Sequence, residues 1–356
     1  MEIKRIKTLE DFKKYIPDIE KLWESTREKI VFLSPIFLRE YVKANEGENL
    51  LYLLMYENNN PILLAPFEIR KRKVALSKWT ELQFGLEGDF KNILLGDSVV
   101  NYDTAIKNLF KYIEKLSVDR VVLDNILPQT NLSKYILKNQ KLNGHFSQQN
   151  MVPTLKFDEY ENFDEFNKTF PSNTRKYKNK ILREKNIEFE VVDNMNEKLY
   201  NEIKKIHIEE KKFLKSLGRS ERYSLYEDEK REEFIKNVQI GSNLVKNFII
   251  RDIDKNKVIA YRNCYVNGDE LVSWNTGYDP DYREYRLNNA LFYFIFEDLF
   301  KGNGFKKFNF GVGGYAWKFG YANSFTNIYI LDLFLSDKGK KIKKMIGFKK
   351  ALEELK

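Results

Sequence analysis

The chain has 356 residues, 42% hydrophobic and 15% aromatic. That suits about two domains of ~100–200 residues each and excludes wholesale disorder. One cysteine, Cys264, excludes an internal disulfide framework and a cysteine-rich zinc module, and two histidines leave little for a histidine metal site. The net charge of +9 is concentrated after residue 300, which argues for one basic tail rather than a basic surface everywhere.

Residues 9–29 carry Leu9, Phe12, Tyr15, Ile16, Ile19 and Leu22 at helical spacing. Ser34 and Pro35 suit the cap and first position of a second helix, 36–45. The period then changes. Residues 51–56 and 62–69, around the turn Asn58-Asn59-Asn60-Pro61, predict a β-hairpin. A third strand is expected over 79–84, a helix over 104–116 and a strand over 120–124. Residues 157–187 are strongly charged and nearly free of Gly, Ser and Pro, so they predict two helices rather than a flexible linker. Helices are expected at 197–217 and 229–238, and strands at 244–250, 258–266 and 270–276. A helix at 288–300 follows, with one apolar face and Gly302 and Gly304 past its end. Strands at 306–310 and 327–335 flank a glycine-rich loop. The order of helices, antiparallel meander, helix and return strand thus occurs twice, which suggests a duplicated α/β unit.

Apolar runs such as Leu291 to Phe296 fall far short of the ~20 residues of a membrane span. Met1 to Arg5 leads into an acidic amphipathic stretch without a signal-peptide apolar region. Both features predict a soluble, cytoplasmic protein.

Five groups of residues could carry chemistry. Asn275-Thr276-Gly277-Tyr278-Asp279-Pro280 ends a strand and leads through Arg283 and Arg286 into the helix at Asn288. Free N–H groups and the positive helix end there suit a phosphate, and the plain alternative is a capped helix with surface arginines. Gly311 to Gly320 combines glycines that let a ligand approach with Tyr315, Trp317 and Lys318; it equally suits a tight turn on an aromatic core. Arg175, Lys176, Lys178, Lys180, Arg183 and Lys185 make a phosphate-binding run or a solvated helix face. His207, beside Glu209, Glu210, Lys211 and Lys212, is a base or a packed histidine. The lysines of 338–350 around Ile342, Met345, Ile346 and Phe348 form a basic amphipathic stretch, able to lie on an anionic membrane or to dock on the protein. No serine elbow, P-loop, dinucleotide fingerprint or zinc spacing occurs.

The order of Arg175 and Arg183, His207, Gly277-Tyr278-Asp279-Pro280, Gly304-Phe305, Phe308-Asn309-Phe310-Gly311, Gly313, Tyr315 and Lys318 resembles the two-lobed GNAT-related acyltransferases. It is nearest to the acetyltransferase-like group of surface-polysaccharide gene sets, whose architecture the Fem-type aminoacyl-tRNA-dependent peptidyltransferases share. Trp23, Phe32 to Phe37 and Pro61 with Leu64-Ala65-Pro66-Phe67 extend the likeness to the first half.

The resemblance implies an α/β (α+β) fold of two GNAT-like lobes, 1–156 and 157–356. Each would be a mixed, mostly antiparallel sheet flanked by helices, the second carrying the active site and the basic C-terminal helix. It implies acyl-CoA as co-substrate and no metal, with Arg283, Arg286, Asn288 and Asn289 at its pyrophosphate. Lys318, Tyr278 and Asp279 would be catalytic, and Arg175, His207, Tyr315 and Trp317 would bind the acceptor, a small or lipid-linked cell-surface precursor. The chain departs from the family at Arg286-Leu287-Asn288-Asn289-Ala290, where ordinary GNAT loops carry glycines. That keeps open an aminoacyl-tRNA donor, with tRNA as partner, and a non-catalytic binding protein on the same fold.

Overall fold

The computed structural model describes residues 1–47, 49–74, 77–97, 101–302 and 304–343. Its contacts divide the chain into one unit of Met1–Asn150 with Asn327–Lys356 and a second of Met151–Thr326. In chain order the elements are β1 (Glu2–Ile6), α1 (Leu9–Ser25), α2 (Pro35–Ala44), β2 (Leu50–Glu57), β3 (Asn60–Val74), β4 (Ser77–Phe84), β5 (Leu94–Leu95), α3 (Tyr102–Ile113), β6 (Arg120–Ile126), α4 (Asn131–Lys138) and β7 (Phe146–Lys156). They continue with α5 (Phe163–Thr169), α6 (Ser172–Glu184), β8 (Ile187–Val192), α7 (Glu197–Ser216), α8 (Glu229–Gln239), β9 (Val245–Asp252), β10 (Lys257–Asn267), β11 (Glu270–Tyr278), α9 (Leu287–Phe300), β12 (Lys307–Asn309), α10 (Ala316–Phe319) and β13 (Ser324–Phe334).

Local chemistry sets the boundaries. Thr8 and Asp11 close a reciprocal capping box on α1. Asn196 and Asp228 cap α7 and α8 with side-chain oxygens. In the first unit β2 is buried along seven of its eight residues, as a strand covered on both faces must be. In the second unit α9 buries more than the one face expected, because α5 and α6 pack on the side that β9–β11 leave uncovered.

The two units repeat one topology. In the first, β1, β2, β3 and β4 form an antiparallel meander, and β4 then runs parallel to β6 through Glu81–Gln83 and Arg120–Val122. In the second, β8, β9, β10 and β11 form the meander, and β11 runs parallel to β12 through Glu270–Val272 and Lys307–Asn309. A last antiparallel strand closes each unit, and here the chain crosses over. β13, from the C-terminal end, pairs with β6, whereas β7, from the first half, pairs with β12. The division expected at 156/157 is therefore not the one the contacts draw: β7 carries its pairing residues into the second unit, and residues after 326 return to the first.

The start of the basic stretch docks on the first unit. Ser336 Oγ donates to Asp119 at 2.8 Å, Lys338 pairs with Asp119 at 3.4 Å, and Ile342 is buried. The rest of the expected tail helix, from Lys344 to Lys350, lies outside the described residues. Among the described residues no helix is long and apolar enough to cross a membrane.

Candidate active site

In the second unit β11 and β12 part company. Their last pair is Val272 with Asn309, and β11 runs on to Tyr278. The chain after β12 stays with β7 instead: the Phe310 and Gly313 amides donate to the Pro153 and Met151 carbonyls. A gap opens along β11 past Val272, and α9 starts just beyond its open end.

That helix start has an unusual cap. Arg286 adopts the left-handed conformation (φ 47°, ψ 51°), and the Asn289 amide bonds back to its carbonyl. A left-handed turn is where glycine is the usual residue. Arg283 and Arg286 are exposed, with Arg283 over the Phe213 ring. Asn288 is drawn inward, its Oδ1 accepting from Thr276 Oγ1 at 2.9 Å; Asn289 is half-buried beside it. Two arginines and the first amides of a helix give an anion site fit for a pyrophosphate. Tyr278 belongs to the same neighbourhood. Burial raises its pKa, the Glu210 carboxylate adds to that, and Arg286 and Arg283 oppose it.

Asp279 does not fit its expected catalytic role. Its carboxylate accepts from Lys257 Nζ at 2.6 Å and from the Asp281 amide at 2.9 Å, so it holds the turn after β11. Lys318 is 4% exposed, and its amine lies inside the concavity of its loop. There it is bound, to the Gly311 carbonyl at 2.8 Å and the Val312 carbonyl at 2.9 Å, beneath the Tyr315 ring. Gly313 (φ 112°) makes this loop feasible, since a Cβ there would lie 2.6 Å from the Tyr315 ring. Tyr315 and Trp317 are exposed, and Trp317 packs on Phe292 and Phe310.

His207 is 2% exposed. Its Nδ1 lies 2.7 Å from Ser224 Oγ. Burial and then Lys211 hold its pKa down to about 3, so it is neutral at pH 7. Arg175 is exposed on α6, whose other cations are partly engaged: Lys180 pairs with Glu284 at 2.9 Å and Lys178 lies over Tyr293.

The structure also gathers groups that sequence reasoning did not single out. Glu210 sits one turn after His207 on α7, 4% exposed, with Lys211 Nζ at 2.7 Å. Burial raises its pKa despite that lysine. Its Oε2 lies 3.3 Å from where a Cβ at Gly277 would stand, and the Tyr261 hydroxyl lies at the same distance. Only glycine admits both groups to β11 at this point. The Tyr261 hydroxyl is buried without a hydrogen-bond partner. Asn275 donates to the Tyr226 hydroxyl at 3.3 Å beside it. A raised carboxyl, a neutral imidazole and an unpaired phenol thus converge on β11 from the α7 side. Among the described residues no group of three or more His, Cys, Asp and Glu gathers as a metal site.

Residues 172–319 match the model of the acetyltransferase (GNAT) domain. This part of the chain is similar to a GNAT domain. The chain is similar in fold over nearly its whole length to L-PGS from Bacillus licheniformis, with a TM-score of 0.55 and 14% identity, covering 93% of this chain and 94% of that one. It is likewise similar to the C-terminal domain of a candidate lysylphosphatidylglycerol synthetase from Agrobacterium fabrum, with a TM-score of 0.57 and 13% identity, covering 92% and 95%. FemX matches with a TM-score of 0.55 and 12% identity, covering 97% of this chain and all of that one. No curated protein matches the sequence.

Proposed function

We propose that the protein moves an acyl group from acyl-CoA onto an amine or hydroxyl of a cell-surface precursor, working from the cytoplasm with an optional membrane contact through 338–350. The observation that carries this is the gap between β11 and β12 with the α9 start at its open end, inside the region similar to a GNAT domain. Arg283, Arg286 and the first amides of α9 would hold the pyrophosphate. The co-substrate would supply a thioester carbonyl. The edge of β11 that β12 no longer pairs with offers N–H groups to polarise it. Glu210, whose pKa burial raises above the ordinary carboxylate value, accepts the proton of the incoming amine, and Tyr278 donates one to the leaving thiolate. Lys318 acts as a positioning residue, because its amine holds the loop that carries Tyr315 and Trp317.

A second reading is a Fem-type transfer from aminoacyl-tRNA. Arg286 favours it, because a side chain stands where a glycine would let the backbone approach CoA. The likeness to FemX supports it at the level of fold. Titration calorimetry with CoA separates the two. We expect binding at sub-millimolar to millimolar ligand, weakened by on the order of 1–3 kcal/mol in Arg283→Glu/Arg286→Glu, the scale of charge-assisted hydrogen bonds. No detectable binding by the unaltered protein at millimolar CoA would reject acyl-CoA as donor and favour aminoacyl-tRNA.

A further inference from the structure

Arg262 is the electrostatic anomaly of the second unit. It stands on β10 and is 4% exposed. Its guanidinium lies 4.1 Å from the centre of the Phe292 ring, and Nη1 donates to Ser273 Oγ at 2.7 Å. Its Nε is buried and has no hydrogen-bond partner. Among the described residues no carboxylate pairs with it; the neighbours that bear on its charge are Cys264, Tyr321 and Tyr261. Burial lowers its pKa to about 10, so the group is still charged at pH 7. A buried cation without a counter-ion loses several kcal/mol of hydration, and one ring face with one hydroxyl returns only part of it.

Its place says what would complete it. Ser273 is the first β11 residue past the last pair with β12. The guanidinium therefore stands at the root of the gap that the proposed reaction fills with the acyl group. A guanidinium edge matches the two oxygens of one carboxylate. The packed surroundings, Phe292, Tyr321 and Cys264, suit a slim apolar chain ending in that group rather than a bulky phosphate.

We infer that Arg262 and Ser273 form a carboxylate-binding subsite at the root of the β11/β12 gap, and that the transferred acyl group carries a carboxylate of its own. The assignment to the acyl group rests on the acyl-CoA reading; the subsite itself does not.

The test compares acetyl-CoA with succinyl-CoA by calorimetry and thermal shift, in the unaltered protein, Arg262→Met and Arg262→Lys. The unaltered protein should bind succinyl-CoA about 10- to 100-fold more tightly, the scale of hydrogen bonds to a charged group. Arg262→Met should lose that preference. Without ligand it should melt no lower than the parent, because an apolar side chain of similar length replaces an unpaired buried charge. Should Arg262→Met fail to fold, Arg262→Lys decides: it keeps the charge but not the fork, and an unchanged preference there overturns the subsite. A carboxylate on the acceptor gives a different result. Glucuronate would then bind the parent in the presence of acetyl-CoA and not the variant, which keeps the subsite and overturns its assignment to the acyl group. Equal affinity for both CoA esters, with no glucuronate binding, overturns the subsite. If neither CoA ester binds, the donor reading has failed separately, and sodium succinate tests Arg262 alone. Stabilisation of the parent but not of Arg262→Met supports the subsite, and stabilisation of neither or of both overturns it.

Discussion

Lys318 binds two carbonyls of its own loop, so its charge acts on the loop before it acts on any substrate. Lys318→Met keeps the apolar stem and leaves two carbonyls without a charged donor. Stability should fall by on the order of 2 kcal/mol, and turnover should fall with it as Tyr315 and Trp317 lose their position. A melting temperature equal to the parent's, with turnover reduced ~100-fold or more, would instead give Lys318 a direct part in the chemistry. Glu210 makes a claim about pH. Its folded pKa is raised above 4.5, chiefly by burial. Below that raised value the carboxyl is protonated and accepts nothing, so kcat/KM should climb with pH along a limb displaced upward from the usual carboxylate range. The same shift makes the folded chain hold a proton that the unfolded chain has released, so stability should decline as pH rises from 4.5 through the folded pKa. Glu210→Gln should remove both trends together. A limb that persists in that variant belongs to another group and would take Glu210 out of the mechanism.

The start of α9 shows an element whose stability and binding pull apart. A non-glycine residue in the left-handed conformation costs ~1–2 kcal/mol, and glycine would return ~0.5–1 kcal/mol of that through the entropy of the unfolded chain. Arg286→Gly should therefore leave the melting temperature unchanged or slightly raised, while CoA binds more weakly for want of one cation. Arg286→Ala should lose the same affinity and keep the strain. A variant glycine that binds CoA more tightly would show that backbone approach, not charge, limits this site. At this scale the sequence was informative wherever periodicity ran long. The helices α1, α7 and α9 and the meander β9–β11 follow from spacing alone, with ends shifted by a few residues. The edge strands β1 and β8 were not legible, because short strands with charged residues on the open side carry little alternation. β7 begins with Phe146-Ser147-Gln148-Gln149-Asn150, a polar run without the apolar alternation that marks a strand.

At the scale of the whole chain, the legible part is the repeat of element order, and the hidden part is which strand closes which unit. Nothing in Phe146 to Lys156 or Ser324 to Phe334 encodes a crossing, since a closing strand looks the same whichever edge it meets. The site was legible in the same uneven way. Tyr278 and the arginines were visible as a strand–turn–helix pattern. Glu210 was masked among three neighbouring charges, Glu209, Lys211 and Lys212, although its spacing from Ile203, Ile206 and His207 puts it on the buried stripe of α7. Arg262 gave no signal, because a lone arginine followed by an asparagine reads as a solvated position. The crossing has a consequence that two truncations expose. Ending the chain after Asp337 keeps β13, whose Tyr329 to Phe334 pair with β6, and removes the buried Ile342. That protein should fold, with a stability lower by about 1.5–3 kcal/mol for one apolar side chain. Ending it after Thr326 removes β13 from β6 and with it Ile328 and Leu331, both fully buried. An open strand edge and two lost core side chains should unfold the first unit or drive it to aggregate. The second unit should be affected less, because its own closing strand, β7, lies upstream of the cut. Hydrogen exchange read peptide by peptide distinguishes the outcomes. Loss of protection in β2–β6, with β9–β12 still protected, is the expected pattern. Loss in β9–β12 alone, or equal protection of both after the shorter cut, would show that β13 does not close the first unit.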